Sequence, residues 1–245
     1  MKHPVNKSVR TLWISAAAVL AAGLASCSQQ QYVAVTPMTQ GMSAYEKFVA
    51  QSKKYPTVME VYMDEALLAR ATSRSHIVIC LSQQRGRLYV DNQVAADWPV
   101  STGADTHPTP IGPYRVRFKE KKHASNRYGK MYNAEGKCID RNADVFKQPV
   151  PEGGRFEGSP MPNWMRLTSD GVGMHTGKVV AGKRLSHGCI RLPHVVSTML
   201  FDIVEYGTRV IITEDIEPGY PVAAFMARRE IEEAEAKAEA RPSAL

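Results

Sequence analysis

The sequence predicts a mainly β domain over residues 76–213, and three observations support this prediction. Short apolar runs at 77–81, 87–90 and 94–100 have the length and β-branched content of strands, with a turn expected at 84–86. A loop rich in glycine and proline at 101–113 leads into a further strand at 114–118. The last apolar run, 208–213, is expected to form the closing strand. A chain of 245 residues that is 44% hydrophobic can bury one ordinary core, so these strands belong to one domain.

Two regions of helical spacing flank the strands. Apolar residues on either side of Pro56 predict two short helices within an N-terminal helical segment, residues 44–75. Pro193 suits the first turn of a helix that runs to residue 204 and stops before Gly207. Residues 214–245 are rich in alanine and glutamate and are expected to form a charged helix or tail.

A long polar insert, residues 119–162, interrupts the strands and has no evident strand or helix pattern. Loops of this length are usually either functional lids or mobile segments. We expect the insert to be a loop that covers a substrate groove, with a plain solvated loop as the alternative.

The first 26 residues have the pattern of a signal peptide. Three basic residues and no acid accompany an apolar run at 11–23, which is shorter than the roughly 20 apolar residues that span a bilayer. The run ends in Leu24-Ala25-Ser26-Cys27, which resembles the lipobox of bacterial lipoproteins and implies lipidation of Cys27. We therefore expect an extracytoplasmic protein, lipid-anchored to a bacterial membrane and facing the periplasm, with a tether at 27–43. An uncleaved anchor, or an ordinary signal peptide with a coincidental cysteine, is the alternative.

Charge is unevenly distributed along the chain. The formal net charge is +7, but the first 26 residues hold three bases and no acid, and the tail from Glu214 holds eight acids against four bases. The remainder therefore has a charge of about +8, which attracts a polyanionic partner at long range. Peptidoglycan stem peptides and anionic lipid fit this charge. Nucleic acid is not expected, because no arginine-rich helix or base-stacking platform is present in the sequence.

Three cysteines lie beyond the signal region: Cys80, Cys138 and Cys189. Cys80 lies in an apolar run and is expected to be a small buried hydrophobe, with a Cys80–Cys138 disulfide as the alternative in an oxidising compartment. Cys189 differs, because His187 and His175 precede it by two and fourteen residues. A cysteine served by a histidine is the usual arrangement of a thiol nucleophile.

The residues around Cys189 suit acyl transfer. A neighbouring imidazolium or helix N-terminus is expected to lower the thiol pKa. Gly188 leaves room beside Cys189 for a carbonyl group and lets backbone N–H groups converge on a developing oxyanion. Proximity in sequence favours His187 as the base, and the residues alone do not decide between it and His175.

A structural zinc site is the main alternative for these side chains. His175, His187, Cys189 and His194 have the donor types that zinc prefers, but no Cys-x-x-Cys or His-x-x-x-His pair accompanies them. A buried structural cysteine with core histidines is the other alternative. We expect neither a metal nor a cofactor.

The other histidines and the tryptophans have simpler expectations. His107 and His123 are expected in loops, without a catalytic part. Trp98 and Trp164 are expected in the core, and Trp164 alone is a candidate for lining a groove, since it precedes Met165-Arg166-Leu167.

Several stretches of this chain, taken together, resemble one known family. These stretches are Ser101-Thr102-Gly103, Thr109-Pro110-Ile111-Gly112-Pro113-Tyr114, Trp164-Met165-Arg166-Leu167, Gly173-Met174-His175-Thr176-Gly177 and Ser186-His187-Gly188-Cys189-Ile190-Arg191-Leu192. They closely resemble the L,D-transpeptidases, bacterial cell-wall enzymes, over about residues 76–213. The resemblance implies a β-sandwich with a short helix near the active site.

The resemblance also implies the catalytic roles. Cys189 is the nucleophile, His175 is the general base, and the backbone carbonyl of Thr176 orients the His175 imidazole. Main-chain N–H groups of His187, Gly188 and Cys189 form the oxyanion hole.

Three further residues are placed at the substrate. Arg191 supports the site or a substrate carboxylate, Ser186 makes a structural hydrogen bond, and Trp164 lines the groove. One departure from the family is the spacing of ten residues between His175 and Ser186, which is fewer than in several well-known members and implies a short loop on that side of the groove.

The implied activity is that of a peptidoglycan L,D-transpeptidase, acting as a monomer on stem peptides. Cys189 attacks the carbonyl of the diaminopimelate residue that precedes a terminal D-alanine, and D-alanine leaves. The thioester then passes its acyl group to an amine of a neighbouring stem. Water as the acceptor would give an L,D-carboxypeptidase, a protein lysine a lipoprotein-anchoring enzyme, and a free D-amino acid an exchanger. A non-catalytic peptidoglycan-binding lipoprotein and a cysteine protease are the alternatives from other classes.

Overall fold

A computed structural model describes residues 42–72 and 74–215 of the chain. Within those ranges it contains eleven β-strands and three short α-helices, so the prediction of a mainly β domain is confirmed. The predicted signal peptide at 1–26, the predicted lipidation site Cys27, most of the predicted tether and the tail from 216 lie outside the described residues. In the described part of the chain no helix is long and apolar enough to cross a bilayer. The elements are α1 Ala44–Gln51, β1 Tyr62–Met63, α2 Glu65–Leu68, β2 His76–Cys80, β3 Arg85–Val90, β4 Gln93–Pro99, β5 Gly112–Arg115, β6 Phe118–Tyr132, β7 Cys138–Asp144, β8 Arg155–Arg166, β9 Gly173–Thr176, β10 Ile190–Leu192, α3 His194–Ile203 and β11 Arg209–Thr213.

The strands form two sheets that share one core. The first sheet has the order β1-β4-β3-β2-β11-β5, and the second has the order β10-β9-β8-β6-β7. β11 pairs with β2 and β10 pairs with β9 in parallel, whereas the remaining neighbours are antiparallel. Ile77 and Leu88 of the first sheet lie in one buried cluster with Met174 and Ile190 of the second. The two layers therefore make the expected β-sandwich.

The first sheet is buried on both faces at its centre. Successive side chains of a strand point to opposite faces. Ile77 and Ile79 of β2 belong to the main core, whereas Val78 packs with Tyr89 and Ile211 in a smaller cluster. Burial on both faces explains why this strand is an unbroken apolar run in the sequence.

The first turn of the first sheet lies earlier in the chain than predicted, next to a cluster of ion pairs. The turn occupies residues 81–84, and β3 already begins at Arg85 rather than after 86. Arg85 Nε donates to Asp97 Oδ1 at 2.6 Å, and Arg87 Nε donates to Asp97 Oδ2 at 2.9 Å. Because Asp97 lies on the neighbouring strand β4, both arginines are held in the sheet and extend β3 towards the turn.

The N-terminal segment is only partly helical. The prediction of α1 is confirmed, and Ser43 and Glu46 form a capping box at its start. The prediction of a second helix from residue 58 is wrong, since the chain runs extended into β1 and only Glu65–Leu68 is helical. The guanidinium of Arg85 donates hydrogen bonds to the carbonyl oxygens of Val58, at 2.8 Å, and Glu60, at 3.1 Å. Carbonyl groups that are bound to a side chain in this way are not available for helical hydrogen bonds.

Asp97 also holds α1 and the chain that follows it against the first sheet. Its carboxylate is fully buried and accepts hydrogen bonds from the hydroxyl groups of Tyr45, at 2.6 Å, and Tyr55, at 2.7 Å. With the two arginines of β3, the carboxylate has four donors, and a buried charge requires such compensation. Burial, together with the Asp97 charge, raises the pKa of both tyrosines.

The polar insert is a β-structure rather than a loop. Residues 119–162 contain most of β6, all of β7 and the larger part of β8. β6 and β8 form a long antiparallel pair, with Phe118 opposite Arg166 at one end and Tyr132 opposite Arg155 at the other. The prediction of a loop is therefore wrong. The sequence did not predict these strands, because most residues of β6 are exposed or half-buried and form no continuous apolar face.

The helix after the motif and the closing strand are found where the sequence predicts them. α3 follows Pro193 and ends at Ile203, one residue before the expected end. It buries Val196, Ser197 and Leu200. β11 covers all but the first residue of the predicted closing strand.

All three described cysteines are free thiols. Cys80 is fully buried in β2, as expected for a small hydrophobe. Cys138 begins β7 in the other sheet. The alternative of a Cys80–Cys138 disulfide is therefore wrong.

Candidate active site

A cavity of about 890 Å³ opens between the insert and the motif-bearing strands. The insert contributes residues from β6, the β7 strand with the turn after it, and β8. The opposite side comes from the loops before β9 and β10. Of the residues predicted for the site, the cavity brings together Trp164, His175, Thr176, Ser186, His187, Cys189 and Arg191.

The pairing of β9 with β10 brings the nucleophile candidate and the base candidate together. The two short strands run parallel, with Arg191 directly opposite His175. Cys189 immediately precedes β10, so it lies at the same end of the pair as the loop at 170–172. Its Sγ lies 3.7 Å from the carbonyl oxygen of Gly171.

His175 is held in one orientation by its own backbone neighbour. Its Nδ1 lies 2.8 Å from the carbonyl oxygen of Thr176, and the side chain is buried. A carbonyl oxygen only accepts, so Nδ1 must bear the hydrogen, and the lone pair of the neutral ring is on Nε2. The contact between His175 and the Thr176 carbonyl is thus present as the family resemblance implied.

The resting pair is neutral. Burial lowers the pKa of His175 to about 4, an effect that the Thr176 carbonyl opposes and that Arg191 and His123 reinforce. Burial also raises the pKa of the Cys189 thiol, although the Gly173 N–H and the Arg191 charge act in the opposite direction. The expectation of a thiol pKa lowered by an imidazolium is therefore wrong for the resting site. The same loss of hydration disfavours both charged forms.

Ser186 makes hydrogen bonds within the loop that bears the nucleophile candidate. Its hydroxyl donates to the Cys189 carbonyl at 2.5 Å and accepts from the Gly188 N–H at 3.1 Å. The Gly188 carbonyl accepts from the Thr109 hydroxyl at 2.7 Å. Gly188 has a φ of 109°, in a region that favours glycine. The expected structural hydrogen bond of Ser186 is present. Its hydroxyl accepts from the Gly188 N–H, one of the three N–H groups that were predicted to form the oxyanion hole.

His187 is covered by an aromatic residue of the insert. The ring of Tyr128 stacks on it with centroids 4.3 Å apart, and His107 meets it edge-on at 4.9 Å. Burial is the first cause of a lowered His187 pKa, and the neighbouring His107 and Arg191 add to it. Tyr128 was not a predicted site residue, and an isolated tyrosine in a polar segment gives no signal of this contact.

Trp164 lies between two histidines. It is buried, its ring stacks on His123 at 5.0 Å, and it packs at an angle to His175 at 5.9 Å. Trp164 thus has both predicted roles, in the core and at the groove. His123 was expected in a loop away from the site, but it lies on β6 and lines the cavity.

Arg191 is a half-buried cation at the cavity wall. Burial lowers its pKa, and a thiolate at Cys189 would oppose this. None of the ion pairs among residues 42–72 and 74–215 includes its guanidinium. Gly177 makes room for its stem, because a Cβ at that position would lie 2.8 Å from Arg191 Cγ. An anionic substrate group is a suitable partner for such a cation. Among the same residues, no group of three or more His, Cys, Asp or Glu side chains is placed to hold a metal ion.

The sequence model of the L,D-transpeptidase catalytic domain, the YkuD family, matches residues 74–212. The chain belongs to this L,D-transpeptidase family. The chain is 32% identical over 130 residues to YqjB of Bacillus subtilis (strain 168), which is itself assigned only provisionally as an L,D-transpeptidase. That match spans 51% of this chain and 64% of YqjB, so less than two thirds of the relative is represented.

Solved L,D-transpeptidases are also similar to the chain. An L,D-transpeptidase from Mycobacterium smegmatis is 22% identical with a TM-score of 0.44, over 57% of this chain and 58% of that one. L,D-transpeptidase 3 from Mycobacterium tuberculosis is 22% identical with a TM-score of 0.42, over 57% of this chain and 61% of that one.

Proposed function

We propose that this L,D-transpeptidase family member cross-links peptidoglycan stem peptides, with Cys189 as the nucleophile and His175 as the general base. The observation that supports this most directly is the bond from His175 Nδ1 to the Thr176 carbonyl. It leaves the basic Nε2 of a neutral imidazole for the thiol proton. Cys189 and His175 line the same cavity, and that cavity is large enough for a peptide.

The reaction proceeds in two acyl transfers. Cys189 Sγ attacks the carbonyl carbon of the diaminopimelate residue before the terminal D-alanine, while Nε2 of His175 takes the thiol proton. The tetrahedral adduct collapses to a thioester, and the amine of D-alanine leaves with the proton from the imidazolium. An amine of a second stem then attacks the thioester and gives its proton to His175. The amide cross-link forms, and the thiol regains that proton.

Proton transfer has to accompany the attack, because the resting thiol and imidazole are both neutral. Backbone N–H groups of His187, Gly188 and Cys189 are the proposed donors to the oxyanion. The Gly188 N–H is bound to Ser186 in the resting loop, so it joins the other two only when that bond is released. Arg191, with Trp164 beside the groove, is proposed to hold a carboxylate of the stem.

The setting of the reaction follows from the N-terminal sequence. We propose that the mature protein is a monomer anchored by lipid on Cys27, so that its domain faces the periplasm and reaches stem peptides. The positive charge of residues 27–213 favours approach to the carboxylates of those stems.

Incubation of the full chain with purified tetrapeptide muropeptides, followed by mass spectrometry, tests the proposal. We expect loss of D-alanine together with cross-linked dimers, and neither product with Cys189→Ala. Cys138→Ala is the matched control, because it also removes a free, partly exposed thiol but lies away from the cavity. His175→Gln should leave the thiol in place and abolish both products.

The products also separate the alternatives. Loss of D-alanine without dimers would indicate the L,D-carboxypeptidase, and transfer to an added D-amino acid would indicate the exchanger. If wild-type chain with a titratable Cys189 thiol leaves the muropeptides unchanged, the transpeptidase proposal is wrong, and a binding protein or a protease is the better description.

A further inference from the structure

A buried polar network lies directly behind the candidate base. Thr176 Oγ1 and Ser197 Oγ are 2.6 Å apart, which joins β9 to α3. Ser197 is fully buried, whereas its neighbour Thr198 is exposed. Asn163 Nδ2, from β8, lies 3.3 Å from both Ser197 Oγ and Thr198 Oγ1. Three separate elements of the fold therefore meet at one serine hydroxyl.

The directions of these hydrogen bonds follow from counting donors. A serine hydroxyl has one hydrogen and two acceptor positions. Ser197 Oγ donates its hydrogen to the His194 carbonyl at 2.9 Å, within the same helix. The Thr176 hydroxyl must then donate to Ser197, and the Asn163 amide supplies the second donor. The Ser197 hydroxyl is thus saturated and holds Thr176 in a single position.

This position matters because the same residue, Thr176, offers its carbonyl to His175 Nδ1 at 2.8 Å. A fixed Thr176 side chain restrains its backbone, and the backbone carbonyl sets both the orientation and the tautomer of the imidazole. Asn163 adds to the same restraint from another side. It has a φ of 54°, tolerated by asparagine better than by most residues, and it directly precedes Trp164, which packs against the His175 ring.

We propose that Ser197 is a positioning residue for catalysis, which fixes the Nδ1–H tautomer of His175 through the Thr176 hydroxyl. Ser197 touches neither substrate nor the reacting atoms, and acts only through Thr176. The proposal rests on the proposed function, in which His175 is the base for Cys189. It goes beyond that function by assigning the geometry of the base to a residue of α3.

The test compares Ser197→Ala and Thr176→Val with wild type in the full chain. Thr176→Val keeps the shape of the side chain and removes only the hydroxyl. Thr198→Ala is the matched control, because it removes the other acceptor of Asn163 on the same helix without touching Thr176. Thermal unfolding of each variant establishes that it is folded. If Ser197→Ala does not fold, Thr176→Val alone tests the proposal.

Two readouts that do not need the natural substrate are informative. Nitrogen-15 NMR of labelled histidine reports the tautomer of His175, and the rate of iodoacetamide alkylation reports the reactivity of Cys189. We expect both test variants to mix the two tautomers and to slow alkylation about five-fold, the factor that corresponds to one ordinary hydrogen bond. Thr198→Ala should resemble wild type in both measurements.

His175→Ala separates failure of this inference from failure of the proposed function. If His175→Ala leaves the alkylation rate of Cys189 unchanged, the role of His175 as base is wrong. If His175→Ala slows alkylation while the folded Ser197→Ala and Thr176→Val variants keep the wild-type tautomer and rate, the role of Ser197 is purely structural and our inference is overturned.

Discussion

The depressed pKa of His175 predicts a specific loss of stability in weak acid. The imidazole ordinarily has a pKa of 6.5, and burial lowers it to about 4 in the folded chain. Protonation below pH 6.5 therefore favours the unfolded chain, which binds the proton more readily. The contribution of neutral His175 to stability is complete above pH 6.5, and it is lost as the pH falls towards 4.

The size of the effect follows from these two values. At pH 5 the imidazole of the unfolded chain is almost fully protonated, whereas that of the folded chain is mostly neutral. The interval between pH 6.5 and pH 5 corresponds to about 2 kcal/mol, since each tenfold step in proton affinity is about 1.4 kcal/mol. His175→Gln removes the titrating group, so the variant should lose about 2 kcal/mol less stability than wild type between pH 7.5 and pH 5.

Urea unfolding at the two pH values measures this difference directly. His187 and His76 also have lowered pKa values, but they are present in both proteins, so their effect cancels in the comparison. Val195→Ala is the control, because it changes an exposed side chain that does not titrate and should keep the wild-type dependence on pH. Equal losses of stability in wild type and His175→Gln would refute the reasoning that His175 is held neutral by burial.

Two further predictions concern the parts of the molecule that frame the site. Asp97→Asn leaves two buried guanidinium groups without a charged partner, so it should lower the free energy of unfolding in a urea titration by about 3 kcal/mol. Asp91→Asn is the control: it breaks an exposed ion pair and should lower the same free energy by at most about 1 kcal/mol. Tyr128→Ala removes the ring that stacks on His187 and should raise the KM for donor peptides by up to about tenfold. Tyr132→Ala, on the same strand but outside the cavity, should leave KM unchanged. A KM that rises equally in both variants would mean that the whole insert, and not this contact, is responsible.

The parts of the fold that the sequence predicted are those with an apolar pattern. Residues 77–81 are buried on both faces and therefore form an apolar run, and α3 has a proline before it and apolar residues at helical spacing. β6 has neither signal. Most of its residues are exposed or half-buried, and several of them line the cavity, so the strand has no continuous apolar face.

The residues of the candidate site also fall into two groups, those that the sequence indicated and those that it did not. Residue types and spacing indicated Cys189 as a candidate nucleophile with His175 and His187 as candidate bases. The choice of His175, and the role of the Thr176 carbonyl, came from the family resemblance. Tyr128 and His123 were missed because they reach the cavity from β6, whose path could not be predicted. Ser197 was missed for another reason, since a serine in a helix gains a role here only through contacts with two distant strands.

The neutral state of the resting site explains why positioning of the base is important here. Burial penalises both the thiolate of Cys189 and the imidazolium of His175, so the ion pair is not formed in advance. In the proposed mechanism, attack then depends on the transfer of the thiol proton to Nε2 as the carbon–sulfur bond forms, and such a transfer is sensitive to the direction of the lone pair. The network of Asn163, Ser197 and Thr176 fixes that direction from behind the ring. Since the thiolate is the form that oxidants attack, the proposed nucleophile would also be protected while it stays protonated, in the extracytoplasmic setting that we propose.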